Sequence, residues 1–347
     1  MAKKSSSYWE KRITQIEEAL LRKGELTSRG IELEYQMAIA GVEKDIHKWY
    51  TRLSTNNDGL SLSEAKKMLN SKELKEFKWN VFDYIKYGEE NALDGRWMKQ
   101  LENASARVHI SRLEAMKLQM QHQVEVIFND QSDKFEKLAK EIYKEGYYHT
   151  AYEIQKGFNI GWDLFSLDDK RISKIIAKPW AADGKNFSSR IWENKTQLVN
   201  SLYTQLSQSI IRGDSPDKAI SAIANEFNVS RHKAGRLVMT ESAFFASASQ
   251  KDCFNDLNVE KYQIVSTLDN KTSPICQDLD GEVFLMKDYE VGVTAPPFHP
   301  YCRTTTIPYF DDNYGERIAR GNDGKVYYIP ANIPFKEWES KYVKKAS

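Results

Sequence analysis

The sequence is short of the residues that mark several large classes of protein. It has three cysteines, Cys253, Cys276 and Cys302, in 347 residues. An odd and small number argues against a secreted disulfide scaffold. No window approaches 18 uninterrupted apolar residues, which argues against a transmembrane helix. Residues 1–9 are basic, but no apolar run follows them, so they do not read as a signal peptide. Neither charge is in excess: 50 Lys+Arg stand against 49 Asp+Glu, a net +1. Such a balance gives no global field to draw in nucleic acid. The chain also lacks the phosphate loop Gly-x-x-x-x-Gly-Lys-Ser/Thr, the Gly-x-Ser-x-Gly elbow and the His-Glu-x-x-His pair.

Apolar residues and aromatics are plentiful: 41% of the chain is hydrophobic, with 15 Phe, 18 Tyr and 8 Trp. A disordered chain is poor in both, so a folded protein is expected. Its length favours more than one packed unit. The first half reads as helix after helix and contains no proline to force a break. Residues 8–37 are rich in Glu, Lys, Leu and Arg. Residues 39–53 place Ile39, Val42, Ile46, Trp49 and Leu53 at three- and four-residue steps. Ser61 followed by Glu64 suggests a capping box. Further helices are predicted over 101–129 and 133–156. The aromatics of 79–87 and 147–152 are expected in the core, because aromatics dominate buried area.

Pro179 and the polar stretch after it mark a boundary near 172–185. Beyond it Ile191, Leu198, Leu202, Leu206 and Ile210 recur at helical spacing. Gly213 is placed to end that helix in the left-handed conformation, and Ser215 with Pro216 to begin the next. Two helices are predicted there, over 216–227 and from Ser230 to 253, with Ser230 as a cap. The segment 231–236 forms a basic patch at that second start. From 259 the pattern changes. Residues 261–268 are β-branched, aromatic and partly alternating, hence a strand. Short segments punctuated by Gly and Pro follow. Gly321 to Gly324 suggests a hairpin turn, and 341–347 a basic tail. The expected fold is α+β: a mainly helical N-terminal region (1–175), then a helical lead-in and a small α+β unit (187–312), then a C-terminal extension (313–347).

Cys276, His299 and Cys302 form the one donor set with metal-binding chemistry. A His-x-x-Cys step lets both side chains reach one ion across a tight turn, and Cys276 would be a third ligand. Asp269, Asp278 or Asp280 would supply the fourth. Thiolate and imidazole select zinc over calcium or magnesium. The alternative is that His299 fixes a loop while the cysteines are small buried hydrophobes. A catalytic reading joins Glu241, Asp269, Asp280 and His299 as a metal-dependent nuclease or toxin-like centre, but their order matches no known catalytic spacing.

The segment from Met239-Thr240-Glu241 to Pro308 also carries a pattern of motifs. A helix ending in Thr240-Glu241 precedes a strand. Asp269, Thr272 and Cys276 then form a turn, Asp280-Gly281 follows, and Pro296-Pro297-Phe298-His299-Pro300-Tyr301-Cys302-Arg303 closes the segment. This resembles the Mu F-like, or SPP1-type, phage head-morphogenesis family over about 187–308. The lead-in at Arg190-Ile191-Trp192 and Arg212-Gly213-Asp214-Ser215 is similar as well. The family motif commonly ends Cys-Arg-Cys; here Thr304 holds the last position. The resemblance implies a minor structural protein of a tailed-phage head rather than an enzyme. It implies association with portal, scaffold or capsid proteins, a role in assembly and DNA delivery, and residence in the virion after assembly in the host cytoplasm. No membrane partner follows from it, no cofactor is required by it, and any DNA contact would be sequence-independent and salt-sensitive. Arg236, Thr240, Glu241, Asp269, Thr272, Asp280, Gly281 and Arg303 are read as structural motif residues, with Glu241 anchoring the β unit through Arg303.

Overall fold

The computed structural model describes residues 6–53, 59–158 and 167–310, and the backbone of two strands at 316–320 and 326–330. Residues 3–4, the turn 321–324 and the basic tail 341–347 lie outside the described residues. Eight helices come first: α1 (Ser6–Leu53), α2 (Leu62–Lys66), α3 (Ser71–Glu90), α4 (Gly95–Ala106), α5 (Arg112–Phe158), α6 (Asp169–Ala177), α7 (Phe187–Arg212) and α8 (Pro216–Asp256). Strand β1 (Lys261–Val265), helix α9 (Pro274–Leu279), β2 (Val283–Leu285), β3 (Thr305–Tyr309), β4 (Glu316–Arg320) and β5 (Val326–Pro330) follow. The fold is mainly helical with a small antiparallel α+β part, as expected.

Three helix boundaries expected from sequence are absent. Residues 8–37 and 39–53 form one helix, α1; 133–156 continues the helix begun at Arg112; and 216–253 is a single helix, α8. Residues 101–106 belong to α4 instead. No proline interrupts any of these junctions. Ser230 is therefore not a cap. Its hydroxyl lies 2.8 Å from the Tyr35 hydroxyl, buried inside the packing. The basic patch 231–236 accordingly sits within α8, and Arg231 is paired with Glu32 at 2.9 Å. Where the sequence does hold strong stop and start signals, the structure uses them. Gly213 has φ +67°, and the Ser215 hydroxyl accepts from the Lys218 N–H just before Pro216 opens α8. Ser61 caps α2 through the Glu64 N–H. The reciprocal half of that box is missing, because the Glu64 carboxylate binds Arg112 and Lys67. The complete capping box is at Asn70 and Glu73 of α3.

The chain divides into two compact units, each discontinuous in sequence. Helices α1, α5 and α8 contribute residues to both. The first unit comprises Ser28–Lys134 and Ser188–Gly235. Its core includes Val42, Ile46 and Trp49 of α1 and all five apolar positions predicted for α7, from Ile191 to Ile210. Ile39 and Leu53 are only half-buried. The Trp49 indole donates to Gln119 at 2.9 Å, and Lys195 pairs with the buried Glu125 at 2.6 Å. The aromatics of α3 depart from expectation: Trp79 and Phe82 are each 72% exposed. Buried Phe77 and Val81 supply the inward positions of that helix, so its intervening aromatics face outward. In this unit Gly59 is irreplaceable for steric reasons. A Cβ there would fall 2.1 Å from the backbone oxygen of Gly213. Gly59→Ala is expected to cost about 3 kcal/mol or more, because backbone cannot yield as a side chain can. Urea denaturation checks this.

The second unit comprises Met1–Thr27, Phe135–Phe187 and Arg236–Ser347. Its centre is the C-terminal part of α8. From Glu241 to Gln250 every residue except Ala248 is buried. Small side chains there (Ser242, Ala243, Ala246, Ser247, Ser249) let neighbouring elements approach on all sides, which a one-sided amphipathic helix would not permit. Trp9 and Ile13 of α1, Ile142, Tyr143 and Tyr147 of α5, and Tyr262 and Ile264 of β1 complete this core. Tyr147 is buried as predicted, whereas Tyr152 is 59% exposed. The sheet order is β2-β1-β3, all antiparallel, with Gln263 opposite both Val283 and Ile307. Strands β4 and β5 form a separate antiparallel pair.

Candidate metal centre

The motif residues converge where β1 leaves the sheet and β3 enters it. Ser273 caps α9 by accepting from the Cys276 N–H, with Pro274 at the first helical position. This places Cys276 in the first turn of α9. The other two donors come from the loop that ends in β3. There the left-handed Tyr301 (φ +59°) tightens the chain between His299 and Cys302. The two sulfurs stand 3.9 Å apart, and the Nε2 of His299 is 3.2 Å from the Cys276 sulfur. The three donor atoms all lie within 4.8 Å of one another.

A tetrahedral zinc ion with ordinary bond lengths sets its ligand sulfurs about 3.8 Å apart and sulfur from nitrogen about 3.6 Å apart. The sulfur–sulfur spacing meets that requirement, and the His299 nitrogen stands about 0.4 Å nearer the Cys276 sulfur than it asks. The histidine tautomer fits too. Nδ1 is 2.8 Å from the Pro300 carbonyl, which can only accept, so Nδ1 carries a proton and Nε2 is left to face the sulfur. The cysteines share their protons unequally. A hydrogen bond from Cys302 is the main reason the Cys276 thiol is lowered to about 6, while the Cys302 thiol is pushed up by the same contact. A thiolate already favoured at Cys276 suits cation binding. None of the three carboxylates expected as a fourth ligand joins the donor cluster. Asp269 is engaged by Arg303, Asp280 accepts from the Ser266 N–H at 2.9 Å, and Asp278 is exposed.

Each remaining motif residue of this loop system ties two segments together. Asp269 receives Arg303 through two hydrogen bonds, of 2.7 and 2.8 Å. Burial alone would raise the Asp269 carboxyl, but Arg303 and the turn N–H groups outweigh it and hold it below the usual range. The Thr272 hydroxyl closes the same turn onto Asp269. Gly281, at φ +84°, bonds its N–H to the Ile264 carbonyl and returns the chain to the sheet. Thr304 is buried with its hydroxyl 3.2 Å from that of Ser266.

Arg236, Thr240 and Glu241 serve other contacts. The Thr240 hydroxyl donates to the Arg236 carbonyl along α8. Glu241 accepts from the Trp180 indole at 2.9 Å, and Trp180 stacks on Phe244. The expected ion pair from Arg303 to Glu241 is thus replaced by the pair to Asp269, whose turn brings its carboxylate beside the guanidinium. Sequence reasoning missed Trp180, Gln250, which bonds Thr305 and Thr306 of β3, and Glu17. Burial, reinforced by the charge of Cys302, raises the Glu17 carboxyl to about 8. No local spacing signals these residues, since their partners are between 55 and 285 positions away in the chain.

Fold and site together define a helical protein with a small antiparallel unit cross-tied by a Cys/His cluster and an Asp/Arg pair. Residues 200–307, from within α7 into β3, match the family model of Phage Mu protein F like proteins. Over this segment the chain is similar to the Mu F-like phage head-morphogenesis family. That family is structural rather than enzymatic. Searches of curated proteins and of solved structures returned no match. Among the described residues no helix is long and apolar enough to cross a membrane.

Proposed function

We propose that this protein is a minor component of a tailed-phage head that docks on the portal, acts with scaffold or capsid proteins in assembly, takes part in DNA delivery, and resides in the virion. The observation that carries this reading is the family match over 200–307. A second feature supports a docking role. Trp79 and Phe82 lie three residues apart on the solvent face of α3, with Lys72, Lys75 and Lys86 exposed along the same three- and four-residue steps. Large exposed aromatics are the residue types that anchor protein interfaces, and the portal is the partner expected to cover them. Mass spectrometry of purified particles should find the protein at low copy, and it should co-purify with portal oligomers. Its consistent absence from particles would sink the proposal. Trp79→Ala combined with Phe82→Ala is expected to weaken portal co-purification at least tenfold. Stability should stay within about 0.5 kcal/mol, since both side chains are exposed.

Within this protein, Cys276, His299 and Cys302 hold a structural zinc ion. The ion cross-links α9 to the loop before β3, in a unit whose short strands give it little regular structure of its own.

A further inference from the structure

A second feature of the same unit borders the candidate metal centre, since Cys302 forms part of its wall, but belongs to none of the roles above. A cavity of about 510 Å³ opens between α1, Met239 of α8, the end of β1 and the loop before β3. That volume is in the range of small-ligand sites. Glu17 forms part of its wall. This residue is only 5% exposed, and its carboxylate oxygen Oε2 has no hydrogen-bond partner. A buried, unpartnered carboxyl oxygen is costly to the fold, and native proteins rarely keep one without a use; a cationic guest would hold this group ionised, against the burial that otherwise keeps it mostly protonated at neutral pH. Three further glutamates of α1 also line the cavity: Glu10, which is buried, and Glu18 and Glu25, which are exposed. Leu21 and Met239 add apolar wall, and Tyr301, half exposed, contributes an aromatic ring.

These features describe one kind of guest. Apolar walls suit a methylene stem, and a single unpaired oxygen suits a compact ammonium head more than a forked guanidinium. The Tyr301 ring adds a face that attracts cations. Arg22 and Arg303 also line the cavity. They disfavour a guest that carries further positive charges outside the pocket, as a polyamine does. We propose that this cavity receives the side chain of a lysine presented by a partner polypeptide, with its ammonium directed to Glu17.

The test uses the full chain and ligand-observed NMR titration. The probes are a capped Ala-Lys-Ala peptide, the same peptide with its lysine Nζ acetylated, and spermidine. The lysyl peptide should bind saturably and the acetylated peptide should not. Glu17→Gln, which preserves shape, should weaken the lysyl peptide about tenfold or more, the equivalent of about 1.4 kcal/mol. Glu18→Gln combined with Glu25→Gln, at exposed positions that leave the fold alone, should weaken it by a smaller factor. Circular dichroism checks the fold of each variant. Absence of saturable binding overturns the proposal. Binding unchanged in a folded Glu17→Gln protein, or binding of spermidine alone, overturns it as well.

Discussion

Protein purified without chelators should contain one zinc ion per chain, and Cys276→Ser, His299→Ala and Cys302→Ser should each lose it. Removing the ion should lower the melting temperature, and returning zinc should restore it. An ion present at 1,000 times its dissociation constant stabilises the folded state by about 4 kcal/mol, so the expected shift is several degrees. Metal analysis and thermal denaturation, with and without a strong chelator, provide the readout. The three donors lie within 4.8 Å of one another, the two sulfurs at a zinc-like 3.9 Å, and the Nδ1 contact to Pro300 orients the ring. Three protein ligands leave one tetrahedral position for water or another donor. Protein that is metal-free as isolated, and indifferent to chelator, would remove this reading while leaving the family resemblance over 200–307 intact.

The second large effect is a loss of stability in mild acid, centred on His122 in the other unit. This histidine is 5% exposed, stacks on Tyr84 with ring centroids 3.8 Å apart, and has no partner for Nδ1. Burial lowers its pKa to about 4. An unfolded histidine titrates near 6.5. Between those values the unfolded state binds a proton that the folded state refuses, so stability rises with pH across the window and falls as acid is added. The expected loss from this residue, relative to neutral pH, is about 2 kcal/mol at pH 5 and about 3 kcal/mol at pH 4. His122→Phe keeps an aromatic ring in the stack and should flatten that limb. Urea denaturation at pH 7.5 and pH 5 of both proteins makes the comparison, and equal losses in the two would refute the assignment.

Much of the site was legible because its chemistry is compressed into short spacings. His299 and Cys302 are three apart, the Asp269 turn is local, and Pro274 and Pro216 announce helix starts. Local rules therefore located the strand at 261, the α7 stripe and the donor set. The rest depended on distance in the chain. Arg303 could not be assigned between Glu241 and Asp269 from sequence, since both are carboxylates and only the fold brings one of them within 3 Å. Trp180 lies 61 positions from its acceptor Glu241. From sequence alone α8 divides in two, because Ser230 looks like a cap. A hydroxyl that finds a tertiary partner, as Ser230 finds Tyr35, has no need of that role. Trp79 and Phe82 show the converse limit: aromatic character predicts a contact, but not whether that contact is internal.

The discontinuity of the units has a consequence for synthesis. The unit containing the start of α1 also requires Arg236–Ser347. The buried hydrogen bond from Ser6 to Gln263 joins residues 257 positions apart. At about 5–20 residues per second, the ribosome needs on the order of 10–50 s to make the second partner after the first. During that interval the apolar stripe of Trp9, Ile13 and Leu20 has none of its β-strand neighbours. The other unit, by contrast, is fully synthesised once Gly235 has been added. One half of this molecule can therefore mature on the nascent chain, while the start of α1 must be kept from aggregation until the Cys/His loop has left the ribosome.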